Sequence, residues 1–337
     1  MVATHGRGFW ILDDISPVRA INTGMDNPRA ILIRPVPALR VRWNASTDMP
    51  WPKEEPVGEN PPEGASINYV LAADVDSVAL EIVDARGRVV RRYSSSDSVA
   101  WTIPAPAAAP YPVYWYRQPQ RLQRSAGLHR FFWDVRYQPL PGIGGGGGGG
   151  GGSGGGAAGG GQPITTLPIN AIARNTAPAP RAPFVAAGNY TVRLITPDTT
   201  YTEPLVVRQD PRVKTSAIAM REVYALTDSM YFTIGKLQDA ADSVREARLT
   251  VTDTTLNKRL AQLLDAPVAP DSARPGPQTL RGATTALGGL LMSLQAADVA
   301  ATATQRESIG EALKNANLAL TRYRALLVPV RQAKQQP

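Results

Sequence analysis

Cysteine is absent from the 337 residues, which excludes disulfides, zinc–thiolate centres and thiol nucleophiles. The redox compartment stays open, because a chain without cysteine fits either side of a membrane. Histidine is scarce as well: His5 and His129 are the two in the chain, so an imidazole relay has only these to draw on, and neither has a recognisable nucleophile partner. No glycine-rich loop ends in Gly-Lys-Ser/Thr, so the phosphate-cradling reading of the polyglycine run has no support. No apolar run reaches the length of a membrane span. The first residues lack the charged, apolar and small-residue regions of a signal peptide, which says nothing about export if the chain is the later part of a longer protein.

What the chain does contain is enough apolar material for ordinary globular cores, with 43% hydrophobic residues, and a length that suits two or three domains. The formal charge of +8 raises the question of nucleic acid. The basic residues are spread along the chain, however, and the tightest group is Arg86, Arg88, Arg91 and Arg92 around one turn. A solvated basic surface is the expectation, with no nucleic-acid partner and no membrane span.

Residues 2–15 read as a strand, with Phe9, Trp10, Ile11 and Leu12 after two glycines. A strand needs neighbours on which to pair and bury its apolar face. The expected neighbours lie upstream, so the chain reads as the C-terminal part of a larger protein and residues 1–21 as the remnant of a preceding domain. Residues 22–66 are rich in proline, including Pro28, Pro35, Pro37, Pro50, Pro52, Pro56, Pro61 and Pro62, which disfavours helix and interior strand and predicts an extended connector. Trp43 and Trp51 would pin that connector by burying their rings, sugar stacking being the alternative.

From residue 67 to 210 the hydrophobic period is two. Ile67, Tyr69 and Leu71 share a face, Val78, Leu80 and Ile82 another, and Asp84-Ala85-Arg86-Gly87 supplies a tight turn. Val89 and Tyr93 continue the return strand. His129, Phe131 and Trp133 alternate in a further one, then Tyr190, Val192 and Leu194, then Tyr201, Leu205 and Val207. Six or seven short alternating strands predict an immunoglobulin-like antiparallel β-sandwich. A glycine-, proline- and alanine-rich insert at about 142–183 is expected to be disordered. From 211 to 332 the period becomes helical. Thr215 or Ser216 opens a long helix and a shorter one covers about Asp253 to Leu264; two more follow, the last ending before Pro329, which predicts an antiparallel bundle.

The candidate chemistry is sparse. His5 and Arg7, in Thr4-His5-Gly6-Arg7-Gly8, sit at a loop-to-strand junction where glycine permits close backbone approach. With Trp43 and Trp51 they are the candidate ligand contacts. His129 shares a face with Phe131 and Trp133 and reads as a satisfied strand histidine. Asp13 and Asp14 are adjacent, so on a strand they point to opposite faces and make a poor glycosidase pair; carboxylates at a strand end accept turn amides instead. Asp48, Glu54, Glu55 and Glu59 read as solvated. No catalytic residue, cofactor or metal ligand is assigned.

Two stretches resemble a known family. Val2-Ala3-Thr4-His5-Gly6-Arg7-Gly8-Phe9-Trp10-Ile11-Leu12-Asp13-Asp14-Ile15-Ser16-Pro17 is similar to the end of the last propeller blade in bacterial sortilin-like (VPS10-type) BNR-repeat proteins, often labelled glycosyl hydrolases. Ile82 to Arg91, Gly127 to Asp134 and Ala187 to Leu194 resemble the FlgD-type immunoglobulin-like module, and the helical tail resembles the C-terminal region of the same proteins. The resemblance implies a multidomain β + α chain with a remnant propeller strand, a sandwich and a helical bundle. It also implies a periplasmic or secreted location and an upstream propeller domain as partner, with other proteins or glycans as further partners. No Asp-box (Ser-x-Asp-x-Gly-x-Thr-Trp) occurs in this sequence, and the domain that would hold any sialidase-like site is not represented. The expected function is therefore a non-catalytic accessory or scaffold region, structural or protein-binding. The alternative is a glycan-active or carbohydrate-binding protein using Trp43, Trp51, Trp101 and Trp115 as stacking platforms.

Overall fold

The computed structural model describes residues 2–4, 8–10, 14–22, 29–42, 63–99, 102–109, 112–141, 176, 182–269 and 275–333. They divide into a β unit, Met1–Gln138 with Gly145–Arg212, and a helical unit, Pro139–Gly144 with Val213–Pro337. The chain is thus a β + α protein of more than one compact unit.

The aromatic strand expected to pair with an upstream domain pairs within the chain. Strand β1 (Val2–Thr4) runs antiparallel to β2 (Gly8–Trp10), with Val2 opposite Trp10. A spacing of three residues suits a hairpin, so a short partner was available locally. Helix α1 (Ser16–Asn22) follows, opened by Asp14, whose Oδ1 accepts the Ser16 N–H at 2.8 Å and the Ser16 hydroxyl. Asp14 therefore has the turn-amide role expected of it. Asp13 lies outside the described residues.

The expected connector at 22–66 needs a larger correction. Within it lie β3 (Ala30–Ile33) and β4 (Ala38–Arg40), and β5 (Ala65–Leu71) begins before its end. The prolines do not abolish strand here: Pro35 and Pro37 fall between β3 and β4, where the chain passes from one sheet to the other and a missing N–H costs no ladder bond.

The remaining strands are β6 (Ala79–Asp84), β7 (Val89–Ser94), β8 (Gly127–Trp133), β9 (Gly188–Ile195) and β10 (Thr200–Gln209). They form a three-stranded sheet, β3-β5-β8, and a five-stranded sheet, β4-β10-β9-β6-β7. Pairing is antiparallel except for β4 with β10, where Ala38 lies beside Val207 in parallel. The all-antiparallel expectation is corrected at that pair. The inner faces carry Ile67, Tyr69, Leu71, Phe131 and Trp133 from the smaller sheet and Leu80, Ile82, Val192, Leu194 and Leu205 from the larger, all buried. Tyr93 meets Phe131 edge-on at 4.6 Å and Trp133 meets Tyr190 at 5.6 Å, so aromatic rings join the two sheets. Fully burying each such aliphatic side chain stabilises the fold by roughly 1.5–3 kcal/mol.

Gly87 ends the β6–β7 turn at φ +79°, the conformation glycine tolerates best. Beyond it the register slips: Ile82 faces Arg91 while Val83 faces Val89, leaving Val90 as the extra residue of a bulge. Val90 is consequently buried and Val89 is 44% exposed, so Val89 does not share the inner face. The late part of the expected disordered insert is also ordered. Thr176 is buried and bonds Trp115 and Arg117 through its backbone, and Ala182 and Phe184 are buried.

In the helical unit Ser216, Asp253 and Thr279 cap α2 (Ala217–Thr250), α3 (Thr254–Asp265) and α4 (Leu280–Leu294), each accepting a first-turn N–H. With α5 (Ala303–Ala333) they enclose one apolar core that includes Met230, Ile234, Leu237, Leu260, Leu287 and Ile309. The last helix does not stop before Pro329 but contains it. The ring forfeits a single backbone bond near the helix end, while the buried Leu326 and Val330 hold that turn on the core. Among the described residues no helix is long and apolar enough to cross a membrane.

Candidate functional site

The four side chains singled out for ligand contact, His5, Arg7, Trp43 and Trp51, lie outside the described residues, as does Trp101. Trp115 is 7% exposed and meets Tyr114 edge-on, so its ring offers no face to a sugar. His129 sits on β8 with Nε2 2.6 Å from the Ser125 carbonyl and its ring 5.2 Å from that of Tyr69, which makes it a bonded strand residue.

Three carboxylates of the β unit are held in the same structural way. Asp84 accepts the N–H groups of Arg86 and Arg88 at 2.9 Å and the Arg88 guanidinium. Burial opposes ionisation there, but the bonds from Arg88 and Arg86 outweigh it and hold the Asp84 carboxyl below its ordinary value. Glu81 lies between Arg92 and Arg193 at 3.9 and 3.8 Å. Asp210 is gripped by Arg212 through the Nε–Nη2 edge of its guanidinium and through its backbone N–H, and the side-chain bonds from Arg212 lower its pKa first of all. Among the described residues no three His, Asp or Glu side chains gather closely enough to hold a metal.

A cluster of charge that the sequence reading did not single out surrounds Phe184. The guanidinium carbons of Arg136, Arg40 and Arg42 lie 3.6, 4.6 and 4.9 Å from the centre of the Phe184 ring. Arg40 is 1% exposed at the end of β4, and Arg136 donates to the Ala182 carbonyl at 2.9 Å. Burial draws the Arg136 pKa down to about 10, with Asp134 and Glu63 opposing the shift and Arg42 and Arg40 adding to it. The group remains cationic at neutral pH. Each cation–ring contact contributes about 0.5–2 kcal/mol, so the cluster fastens the strand carrying Arg40 and the segments around Arg136 and Phe184 to one another. Next to it Val135 sits at φ +57°, rare for a β-branched residue, with its carbonyl accepting the Val185 N–H at 2.9 Å. The signal was present in Leu39-Arg40-Val41-Arg42, where an alternating pattern puts both arginines on one strand face. Assigning that stretch to a connector hid it.

What the arrangement provides is cohesion: guanidinium, carboxylate and imidazole groups joined to backbone, rings and each other, with no nucleophile and base set against one another among the described residues. No family model matches this chain, and neither does any curated protein or solved structure.

Proposed function

We propose that the chain is a non-catalytic accessory region, a scaffold that braces or presents protein partners, of the kind that follows the propeller in sortilin-like BNR-repeat proteins. The observation that carries this reading is the fate of the ionisable groups. His129, Asp84, Glu81, Asp210 and Arg136 each serve a turn, a strand or an aromatic contact, whereas catalytic acids and bases face a substrate-accessible space with their reactive atoms free.

Strand order supports the immunoglobulin-like part of the reading. With β3 as A, β4 as A′, β5 as B, β6 as C, β7 as C′, β8 as E, β9 as F and β10 as G, the two sheets read A-B-E and A′-G-F-C-C′. The parallel A′–G pair is supplied by one chain crossing between sheets. The β1–β2 ribbon is compatible with the edge of a propeller blade, and a periplasmic or secreted location with an upstream propeller partner follows from the resemblance alone.

The test is turnover. Purified chain is incubated with aryl glycosides, sialosides and unstructured peptides, and product formation is expected to equal that of a heat-killed control. Turnover above that control overturns the reading.

A further inference from the structure

The helical unit holds an open cleft of about 570 Å³ lined by α3 from Arg259 onward, residues 266–268 and 276–279 of the connection to α4, and α5 around Arg322 to Leu326. That volume falls within the range of ligand sites. Hydrogen bonds tie the described residues of its wall to one another. Pro267 bridges Pro275, the Gly276 N–H donates to the Ala266 carbonyl at 2.7 Å, and the Thr279 hydroxyl donates to the Gly276 carbonyl at 2.7 Å. The loop is seated so closely that a Cβ on Gly282 would fall 2.0 Å from the Gly276 oxygen.

The lining has three chemical components. Leu263 and Leu326 form an aliphatic floor, and Val268, 57% exposed, stands on the rim. Arg259 and Arg322 bring two guanidinium groups, and no carboxylate lines the cleft among the described residues. Arg322 is oriented by Gln278, whose Oε1 it meets at 2.8 Å, while Arg259 makes no hydrogen bond or ion pair among the described residues. Gln262 and Gln278 add two carboxamides. A carboxamide carries the same donor and acceptor as a peptide unit. This chain already uses glutamine in that way: Gln120 bonds both the N–H and the C=O of Phe132, Gln138 accepts the Arg92 N–H, and Gln305 accepts the Thr302 N–H.

We infer that this cleft binds an extended peptide segment of a partner protein in which a carboxylate side chain neighbours an aliphatic one. The guanidinium groups of Arg259 and Arg322 take the carboxylate, the Leu263–Leu326 floor takes the aliphatic side chain, and the glutamines pair with the peptide backbone. The inference deepens the scaffold reading by naming the partner's chemistry, and it rests on that reading.

The experiment uses the full chain and fluorescently labelled, C-terminally amidated decapeptides in which Glu alternates with Leu. The matched controls are Gln/Leu and Lys/Leu peptides, read by fluorescence anisotropy at low and moderate salt. The Glu/Leu peptide is expected to bind at least tenfold tighter than the Gln/Leu peptide and to weaken with salt. The double variant Arg259→Glu, Arg322→Glu is expected to lose that preference and to favour the Lys/Leu peptide, with its far-UV circular dichroism unchanged. Gln262→Ala is expected to weaken the Glu/Leu peptide without altering the charge preference. Equal affinity for the Glu/Leu and Gln/Leu peptides overturns the inference, and so does a preference that survives the double reversal. Competition by free octanoate as effective as competition by unlabelled peptide assigns the cleft to small carboxylates and overturns the peptide clause. None of these outcomes depends on substrate turnover, so the scaffold reading and the cleft fail by different measurements.

Discussion

The two units reach a stable core by opposite routes. In the β unit the pairings that matter join distant parts of the chain: Ala38 lies beside Val207, Ala30 faces Leu71, and Tyr116 bridges Thr176 across the glycine-rich stretch. Polar side chains fasten the structure there at the Gly87 turn, through Asp84, and at the outer edge of β8, through Gln120. In the helical unit α2 packs chiefly on α4 and α5 rather than on the helix that follows it, and the core is almost wholly aliphatic, with the buried Thr227–Gln295 bond at 3.0 Å as a polar exception. A helix satisfies its backbone within itself and needs only an apolar stripe to pack on a remote partner, whereas a sheet of remote strands also needs its edges and turns chemically closed.

The two routes can be separated because all six tryptophans precede residue 134. Tryptophan fluorescence therefore reports the β unit, and far-UV circular dichroism is dominated by α2 to α5. The largest effects come from emptying each core. Trp133→Ala removes a fully buried ring that touches Tyr190 and donates to the Arg136 carbonyl at 2.9 Å, and a loss of about 3–5 kcal/mol is expected. Leu287→Ala, at the centre of the helical core, is expected to cost about 2–5 kcal/mol. The first should move the fluorescence transition in denaturant and the second the dichroism transition. Joint movement of both signals in both variants would show one cooperative core instead of two.

A finer comparison uses two glycines, one in each unit. Gly64 sits at φ +92° with a Cβ position 1.9 Å from the Trp133 carbonyl oxygen. Gly282 lies equally close to the Gly276 oxygen, but in ordinary helical backbone. Both alanine variants must push backbone aside, at about 1–3 kcal/mol for the overlap. Gly64→Ala adds about 1–2 kcal/mol for the left-handed conformation and is therefore expected to be the worse of the two. The reverse order in urea denaturation would mean that the β5 entrance relaxes more readily than the α4 entrance.

These particulars also explain what could be read ahead of the structure. The helix starts at Ser216 and Asp253 were legible because a cap and an apolar stripe are local facts. So were the inner faces of β5 and β6 and the turn at Gly87. The strands at Ala30–Ile33 and Ala38–Arg40 were not, because proline density argues against strand until the partners, nearly the whole β unit away for β4, are known. The bulge at Val90 and the ordered Thr176 escaped for the same reason, and so did the arginines around Phe184. At the level of the site, His129 and Asp14 read correctly as structural. The cleft beside Arg259 and Arg322 gave no sequence signal, because its residues come from three separate segments.

Alkaline pH acts on the β unit through two phenols, the buried Tyr69 and the half-buried Tyr93. Burial pushes Tyr69 up to about 12 and raises Tyr93 as well. A folded-state pKa above the ordinary value of 10 means that the neutral phenol's contribution is whole below pH 10 and is lost as pH rises through the folded value. Phenolate absorbance should accordingly include a late step from Tyr69 and Tyr93, together with the loss of the tryptophan signal. Tyr69→Phe removes one late step but leaves the Gln123 carbonyl without its donor, at about 1 kcal/mol near neutrality. A late step of unchanged amplitude in Tyr69→Phe would show that Tyr69 does not contribute to it.

The smallest expected effect tests whether edge closure is a property of particular side chains. Strand β8 ends the three-stranded sheet, and on its outer side the Gln120 carboxamide stands in for a neighbouring strand, accepting the Phe132 N–H at 2.9 Å and donating to the Phe132 carbonyl at 3.4 Å. Gln120→Ala opens both groups to water at about 0.5–1.5 kcal/mol, and Gln120→Glu keeps the acceptor while losing the donor. Amide exchange at Phe132 should therefore accelerate in the alanine variant and stay nearer wild type in the glutamate variant. Concentration-dependent association in sedimentation should follow the same order, since an uncovered edge is a template for another chain. If exchange at Phe132 is indifferent to both substitutions, the edge is closed by the sheet's twist or its neighbours, and the contrast between a chemically sealed β unit and an aliphatic helical unit loses its most local support.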